Sequence, residues 1–243
     1  MMLRLPTIQG VIRRRLLVNF RVDAAVMQAQ LPARFSPKLQ KGYAIAGICL
    51  IRLEEIRPKH VPTFIGISSE NGAHRIAVTW EEDGVAREGV YIPRRDTDSL
   101  LNHYAGGRLF PGEHHHAEFV VEDDGQRIAL QMRAKDDGVS VDVRGHLADR
   151  LPASSVFASM DEASAFFAAG AVGYSVTHDD DRLDGIRLAT KSWKIEPLEV
   201  DAVKSSYFDD PAKFPAGSVT FDCALVMRDI EHEWLAEPDL LLR

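Results

Sequence analysis

Three of the chain's four Asp-Gly dipeptides, Asp83-Gly84, Asp124-Gly125 and Asp137-Gly138, constrain it more than any other feature. Asp-Gly tolerates the positive φ angles of a tight two-residue turn, and the twist of that turn matches the twist of paired strands. Each dipeptide sits between strand-like runs. His74–Trp80 alternates apolar and polar positions and leads to Val85–Ile92; Glu118–Glu122, Arg127–Arg133 and Val139–His146 follow one another across the other two turns. Tyr43–Leu53 is apolar on both faces, as a central strand must be. Val172–Thr177, Gly185–Thr190, Ser192–Val200 and Val219–Arg228 complete the strand signals. Helix signals are few. Asp23 precedes Ala24–Gln30, Asp96 or Thr97 precedes Asp98–Tyr104, and Ser159 with Glu162 forms a capping box before Asp161–Ala169, which Gly170 ends. The expected fold is therefore α+β and β-dominated: a curved or barrel-like sheet of mostly antiparallel strands with a few short helices. No repeat, linker or shift of composition interrupts the chain, so residues 1–243 read as a single domain.

Charge and cysteine usage narrow the setting. A net charge of −7 opposes nucleic-acid binding, which needs clustered excess cations. The basic run Arg13-Arg14-Arg15 reads as a solvated segment. Cys49 and Cys223 lie in apolar runs and behave as small buried hydrophobes rather than as a disulfide framework. The longest apolar run, Tyr43 to Ile51, falls far short of the ~20 residues of a membrane helix. No membrane contact and a cytoplasmic location are the expectations, and a homo-oligomer is compatible with them.

The polar groups of a site concentrate between Gly89 and Glu118. Arg94 and Arg95 follow Pro93, where a strand is expected to give way to a loop. One arginine pairs with Asp96 or Asp98 and the other stays available to a carboxylate, which a guanidinium receives in bidentate fashion. Glu70-Asn71-Gly72, with His74 and Arg75, forms a second polar knot; Asn71-Gly72 reads as a turn, and Glu70 and Arg75 are candidates to face the same cavity as the arginines. If a strand runs through the histidine triplet, His114, His116 and Glu118 share one face, while Glu113 and His115 share the face of Ala117, Phe119 and Val121. The first set is a known iron or zinc combination. Parity turns it toward solvent, so no metal is predicted, and Glu113 with His115 becomes the proton-moving pair. There is no G-x-S-x-G elbow, G-x-G-x-x-G loop or P-loop, and no cofactor is predicted.

The segments VNFRVDAAVMQAQLP, KGYAIAGICLIRL, SSENGAHRIAVTW, GVYIPRRDTDS, GGRLFPGEHHHAEF and FPAGSVTFDCALVMR together resemble the DUF2071 family of the acetoacetate decarboxylase-like superfamily. The resemblance implies a twisted, cone-like barrel around an internal pocket. It also implies a lysine after a proline that would form a Schiff base with a keto acid. Here Pro111 is followed by Gly112 and Glu113, so that lysine is missing, while Arg108 carries over as a cation for a carboxylate or enolate. Lys191 is the weak alternative amine. Two functions follow. One is an enzyme acting on a small anionic carboxylate or carbonyl compound without a covalent lysine, a lyase or hydrolase in which Arg94, Arg95, Arg108 and Glu70 bind and Glu113 and His115 move a proton. The other is a non-catalytic metabolite-binding protein on the same fold.

Overall fold

The computed structural model describes residues 7–105, 111–179 and 181–242. Among them fourteen strands form one sheet: β1 (Ile8–Asp23), β2 (Ser36–Pro37), β3 (Leu39–Gln40), β4 (Tyr43–Pro58), β5 (Ile67–Glu82), β6 (Val85–Thr97), β7 (His114–Asp123), β8 (Arg127–Ala134), β9 (Ser140–Leu147), β10 (Val172–Val176), β11 (Arg182–Thr190), β12 (Glu196–Ser205), β13 (Val219–Ala236) and β14 (Leu240–Leu241). Three short helices accompany them, α1 (Ala24–Ala29), α2 (Leu100–Ala105) and α3 (Met160–Ala168). All three Asp-Gly turns form. Asp83 and Gly84 take φ of 52° and 74° between β5 and β6, and Gly125 and Gly138 also have positive φ. The Ser159 hydroxyl accepts the Glu162 N–H at 3.1 Å, so α3 starts on its capping residue. Asp23 precedes α1 without a side-chain cap. No helix among the described residues is long and apolar enough to cross a membrane.

Strand order is β14-β11-β10-β6-β7-β8-β9-β12-β13-β1-β4-β5-β2, with β3 on β4, and the added pairings β5–β6 and β11–β13 close the sheet on itself twice. One closed ring runs β6-β7-β8-β9-β12-β13-β1-β4-β5, the other β6-β10-β11-β13-β1-β4-β5. Both share the wall β13-β1-β4-β5-β6. The rings part where β6 changes partner: Val90–Ile92 pair with β10 and Arg95–Thr97 with β7, the two parallel pairings in an otherwise antiparallel sheet. Closure removes exposed strand edges from the wall. It also covers both faces, so alternate residues enter two interiors. Leu16, Val18, Ile48 and Leu50 face the nine-stranded ring with Leu130 and Val143; Leu17, Ile45 and Cys49 face the other way with Phe157, Phe166 and Phe167. Each fully buried aliphatic side chain contributes roughly 1.5–3 kcal/mol.

Several expectations need correction. Asn71-Gly72 is not a turn but lies inside β5, where a Cβ at position 72 would sit 2.6 Å from the Met132 sulfur and force that side chain to shift. β6 does not end at Pro93 but continues to Thr97. Arg13-Arg14-Arg15 is not solvated throughout: Arg13 is exposed, but Arg14 is buried and ion-paired to Glu70 at 2.6 Å, and Arg15 is half-buried. β12 begins at Glu196 rather than Ser192. Arg14 and Asn71 share a cause: strands covered on both faces carry polar residues into an interior.

Candidate active site

The wall sorts its charges by parity. On the face toward the nine-stranded ring, the cross-strand rows are Val18, Ile48, His74, Arg94 and Leu16, Leu50, Gly72, Asp96. Here charges are matched. Arg94 donates from Nε and Nη2 to Asp96 at 2.7–3.0 Å and from Nη2 to Asp137 at 3.1 Å. Arg14 holds Glu70, whose backbone N–H donates to Asp98 Oδ1 at 3.0 Å. His74 is fully buried beside Tyr207, with a ring separation of 4.5 Å, and neither ring nitrogen has a hydrogen-bond partner among the described residues. Burial, then the nearby Arg94 charge, pushes its pKa down to about 3, so it is a neutral ring.

The opposite face is different. Its rows are Arg15, Ile51, Asn71, Thr97; then Leu17, Cys49, Ala73, Arg95; then Asn19, Gly47, Arg75. Three arginines enter the seven-stranded ring, and none has a carboxylate within 4.0 Å among the described residues. A cavity of about 90 Å³ opens on this side, lined by Asn71, Arg95, Asn102, His114, Ser69 and Asp96, whose carboxylate is held by Arg94, together with Pro111, Trp234 and mostly aliphatic side chains. That volume holds several waters or a very small metabolite. Arg95 donates from Nε to Ser175 Oγ at 2.9 Å. Burial pushes its pKa down to about 10, so it stays charged at neutral pH.

His114 completes the constellation. Parallel pairing sets it in register with Arg95. Its Nδ1 lies 2.9 Å from the Gly112 carbonyl, which can only accept, so Nδ1 carries the proton and Nε2 keeps its lone pair. Burial, then the Arg95 charge, holds its pKa near 3. The turn that delivers His114 needs glycine at 112: φ is 81°, and a Cβ would lie 2.6 Å from the Ser175 Cβ and 3.1 Å from Arg95 Nε. The Gly112 N–H donates to Asp184 at 2.9 Å, fixing the turn. With its pKa held at about 3, the neutral imidazole accepts a hydrogen bond at Nε2 as the site stands; an anion bound to Arg95 offsets one of the charges that depress it and so raises its capacity to accept a proton from the ligand.

The sequence candidates separate accordingly. Arg95 lines the cavity. Arg94 is committed to Asp96 and Asp137, and Glu70 to Arg14. Glu113 and His115 are not brought together: the Glu113 carboxylate is 3.7 Å from His178 and partly exposed, whereas His115 contacts Asp136. Arg108 lies outside the described residues. His114, expected to face solvent, faces an interior, because β7 starts where the rings part and both of its faces are covered. Glu118 does point to solvent and pairs with Lys135 at 2.9 Å, and His116 lies against His103 with rings 5.9 Å apart. His115, Asp136 and Asp137 gather possible metal-ligating atoms within 4.8 Å, and Arg94 reaches both of those carboxylates. Lys191 is exposed and paired with Glu231. Arg15 escaped notice as a site residue; Arg75, a candidate to face the same cavity as the arginines, lines a separate one from Arg95, and His114 was a candidate only as a metal ligand. Their signal was charge or imidazole at positions in phase with apolar wall residues.

Comparison with known proteins locates this architecture. The DUF2071 family model, described as an uncharacterized conserved protein, matches residues 11–222. No curated protein matches the chain. Among solved structures, the enduracididine biosynthesis enzyme MppR complexed with pyruvate is similar at a TM-score of 0.64 and 14% identity, covering 100% of this chain and 92% of that one. The acetoacetate decarboxylase from Legionella pneumophila subsp. pneumophila str. Philadelphia 1 is similar at 0.62 and 10% identity, covering 98% and 87%. An acetoacetate decarboxylase-like enzyme from Sphingomonas wittichii RW1 gives 0.60 and 12%, covering 99% and 94%.

Proposed function

Because the chain belongs to the DUF2071 family and shares the acetoacetate decarboxylase-like fold, we propose that it binds a small carboxylate or carbonyl compound in the Arg95–His114 cavity and moves a proton on it without a covalent lysine. One observation carries the reading: Arg95 is charged and lacks a carboxylate partner among the described residues, in a cavity it shares with a neutral imidazole. A desolvated cation that feels the Asp184 carboxylate only from beyond ion-pair distance is costly, and a bound carboxylate supplies a direct counter-charge in bidentate geometry. That a protein of this fold is complexed with pyruvate supports a ligand of this class. Arg108, three residues before the cavity-lining Pro111, supplies a second cation in this reading. No lysine occurs among the described residues lining the cavity, which supports chemistry of the lyase or hydrolase kind without a Schiff base.

The second reading, non-catalytic binding, is favoured by the separation of Glu113 from His115 and by the mostly aliphatic lining. Exchange of the pyruvate methyl protons with D₂O, followed by NMR, discriminates. The enzyme reading expects protein-accelerated exchange that His114→Asn removes while pyruvate still binds, and that Arg95→Met removes together with binding. Binding without exchange establishes the second reading, and absence of binding defeats both. Borohydride treatment with pyruvate or acetoacetate is expected to leave every lysine unlabelled.

A further inference from the structure

We propose that Arg15 and Arg75 form a second oxyanion-binding point inside the seven-stranded ring, on the side covered by α3, and that it takes a carboxylate group. This point shares no lining residue with the Arg95 cavity and stands independently of the function proposed for it. A separate cavity of about 30 Å³ is lined by Arg15, Arg75, Lys38, Phe166, Phe167 and Gly170 among others. That volume suits a planar three-atom group and exceeds the ~10–15 Å³ that one water requires.

Both guanidinium groups are already positioned, yet neither is neutralised. Arg75 is 5% exposed, donates from Nη2 to Asn19 Oδ1 at 2.5 Å and lies 5.0 Å over the Phe167 ring, which leaves its Nε–H without a partner. Arg15 donates from Nε to Cys49 Sγ at 3.0 Å and lies 5.9 Å over the Trp193 ring, which leaves its buried Nη1 without a partner. Asparagine oxygen, thiol and aromatic faces orient a cation without cancelling its charge. Lys38, the third cation, is ion-paired to Glu88 at 2.6 Å. The wall's other buried arginines, Arg14 and Arg94, each hold a carboxylate. Burial pushes Arg75 down to about 10, so it remains a cation at neutral pH, and the neighbouring Arg15 charge repels it until an anion enters.

The test uses formate as the probe, at constant ionic strength with chloride as the balancing salt, and reads thermal unfolding. Arg95→Met protein removes the first site. It is expected to gain about 3 °C or more at saturating formate. Arg95→Met/Arg75→Met is expected to lose that gain, and Arg95→Met/Arg15→Met carries the same comparison if the first double variant does not fold. Two further arms identify the source of the anion. A tenfold tighter binding of succinate than propionate by the wild type, removed by Arg75→Met, marks the point as the second-carboxylate subsite of one ligand. A formate response without that preference marks it as a site for a free anion. A formate response that survives in both double variants, or is absent from Arg95→Met, overturns the proposal.

Discussion

Arg94 and Arg95 are adjacent in sequence, yet the wall gives them opposite energetic roles, so the pair Arg94→Met and Arg95→Met is a sensitive perturbation. Removing Arg94 strips Asp96, which is fully buried, of bonds at 2.7–3.0 Å and leaves an uncompensated carboxylate; Asp137, on the other side of the guanidinium, is exposed and rehydrates. Breaking a buried pair by deleting one partner costs about 3–5 kcal/mol. Burial already raises the Asp96 carboxyl above its ordinary value with Arg94 present. Without Arg94 the rise is larger, so the penalty is greatest at neutral pH and shrinks as pH falls and the group protonates in the folded state. Arg95→Met loses one hydrogen bond to Ser175, worth about 1 kcal/mol, and removes a desolvated charge that has no carboxylate within 4.0 Å among the described residues. The two contributions oppose each other, and the net change is within about 1 kcal/mol of zero. Urea unfolding at pH 7 with unchanged m values reads the difference, which in a chain of this size corresponds to a Tm gap of roughly 5–15 °C. Equal destabilisation by the two variants would show that Arg95 has a carboxylate partner of its own, and its assignment as the ligand-binding cation would fall.

Two further outcomes follow from the same wall. His74 titrates near 3 when folded and near its ordinary 6.5 when unfolded, so between those values the unfolded chain binds one more proton. Its contribution is fully present above pH 6.5 and is lost toward pH 3; His74→Phe therefore flattens the plot of stability against pH by about 1.4 kcal/mol per pH unit in that window, and parallel plots would contradict it. Gly72→Ala places a Cβ 2.6 Å from the Met132 sulfur and costs about 1–3 kcal/mol in chemical unfolding; a neutral result would mean that β8 yields at that point.

How much was legible in the sequence depended on whether the signal was local. Asp83-Gly84, Asp124-Gly125 and Asp137-Gly138 mark their hairpins through backbone preference alone, and Ser159 with Glu162 marks α3 in the same way. The strand pattern suggested a curved or barrel-like sheet and the family resemblance sharpened it to a cone-like barrel, in keeping with the two closures of the sheet. Parity failed where a strand has two interiors. The positions of Ala117, Phe119 and Val121 pointed to the core correctly, but His114 on the opposite face meets a second interior, created by a parallel pairing to β6 that no local pattern encodes. Asn71-Gly72 has turn composition, yet its glycine answers to Met132 from β8, a contact made across the ring. The meeting of Arg15 with Arg75 was hidden for the same reason: one in a basic run and one in a polar knot, they converge only through the register of β1, β4 and β5.

Crystals of the protein soaked with pyruvate test the central claim most directly. The account predicts carboxylate density within about 3 Å of the Arg95 guanidinium, with the ligand's reacting end toward His114 Nε2 and no continuous density to any lysine. An unfilled Arg95–His114 cavity under conditions where calorimetry reports binding, or a covalent bond to lysine, would contradict it.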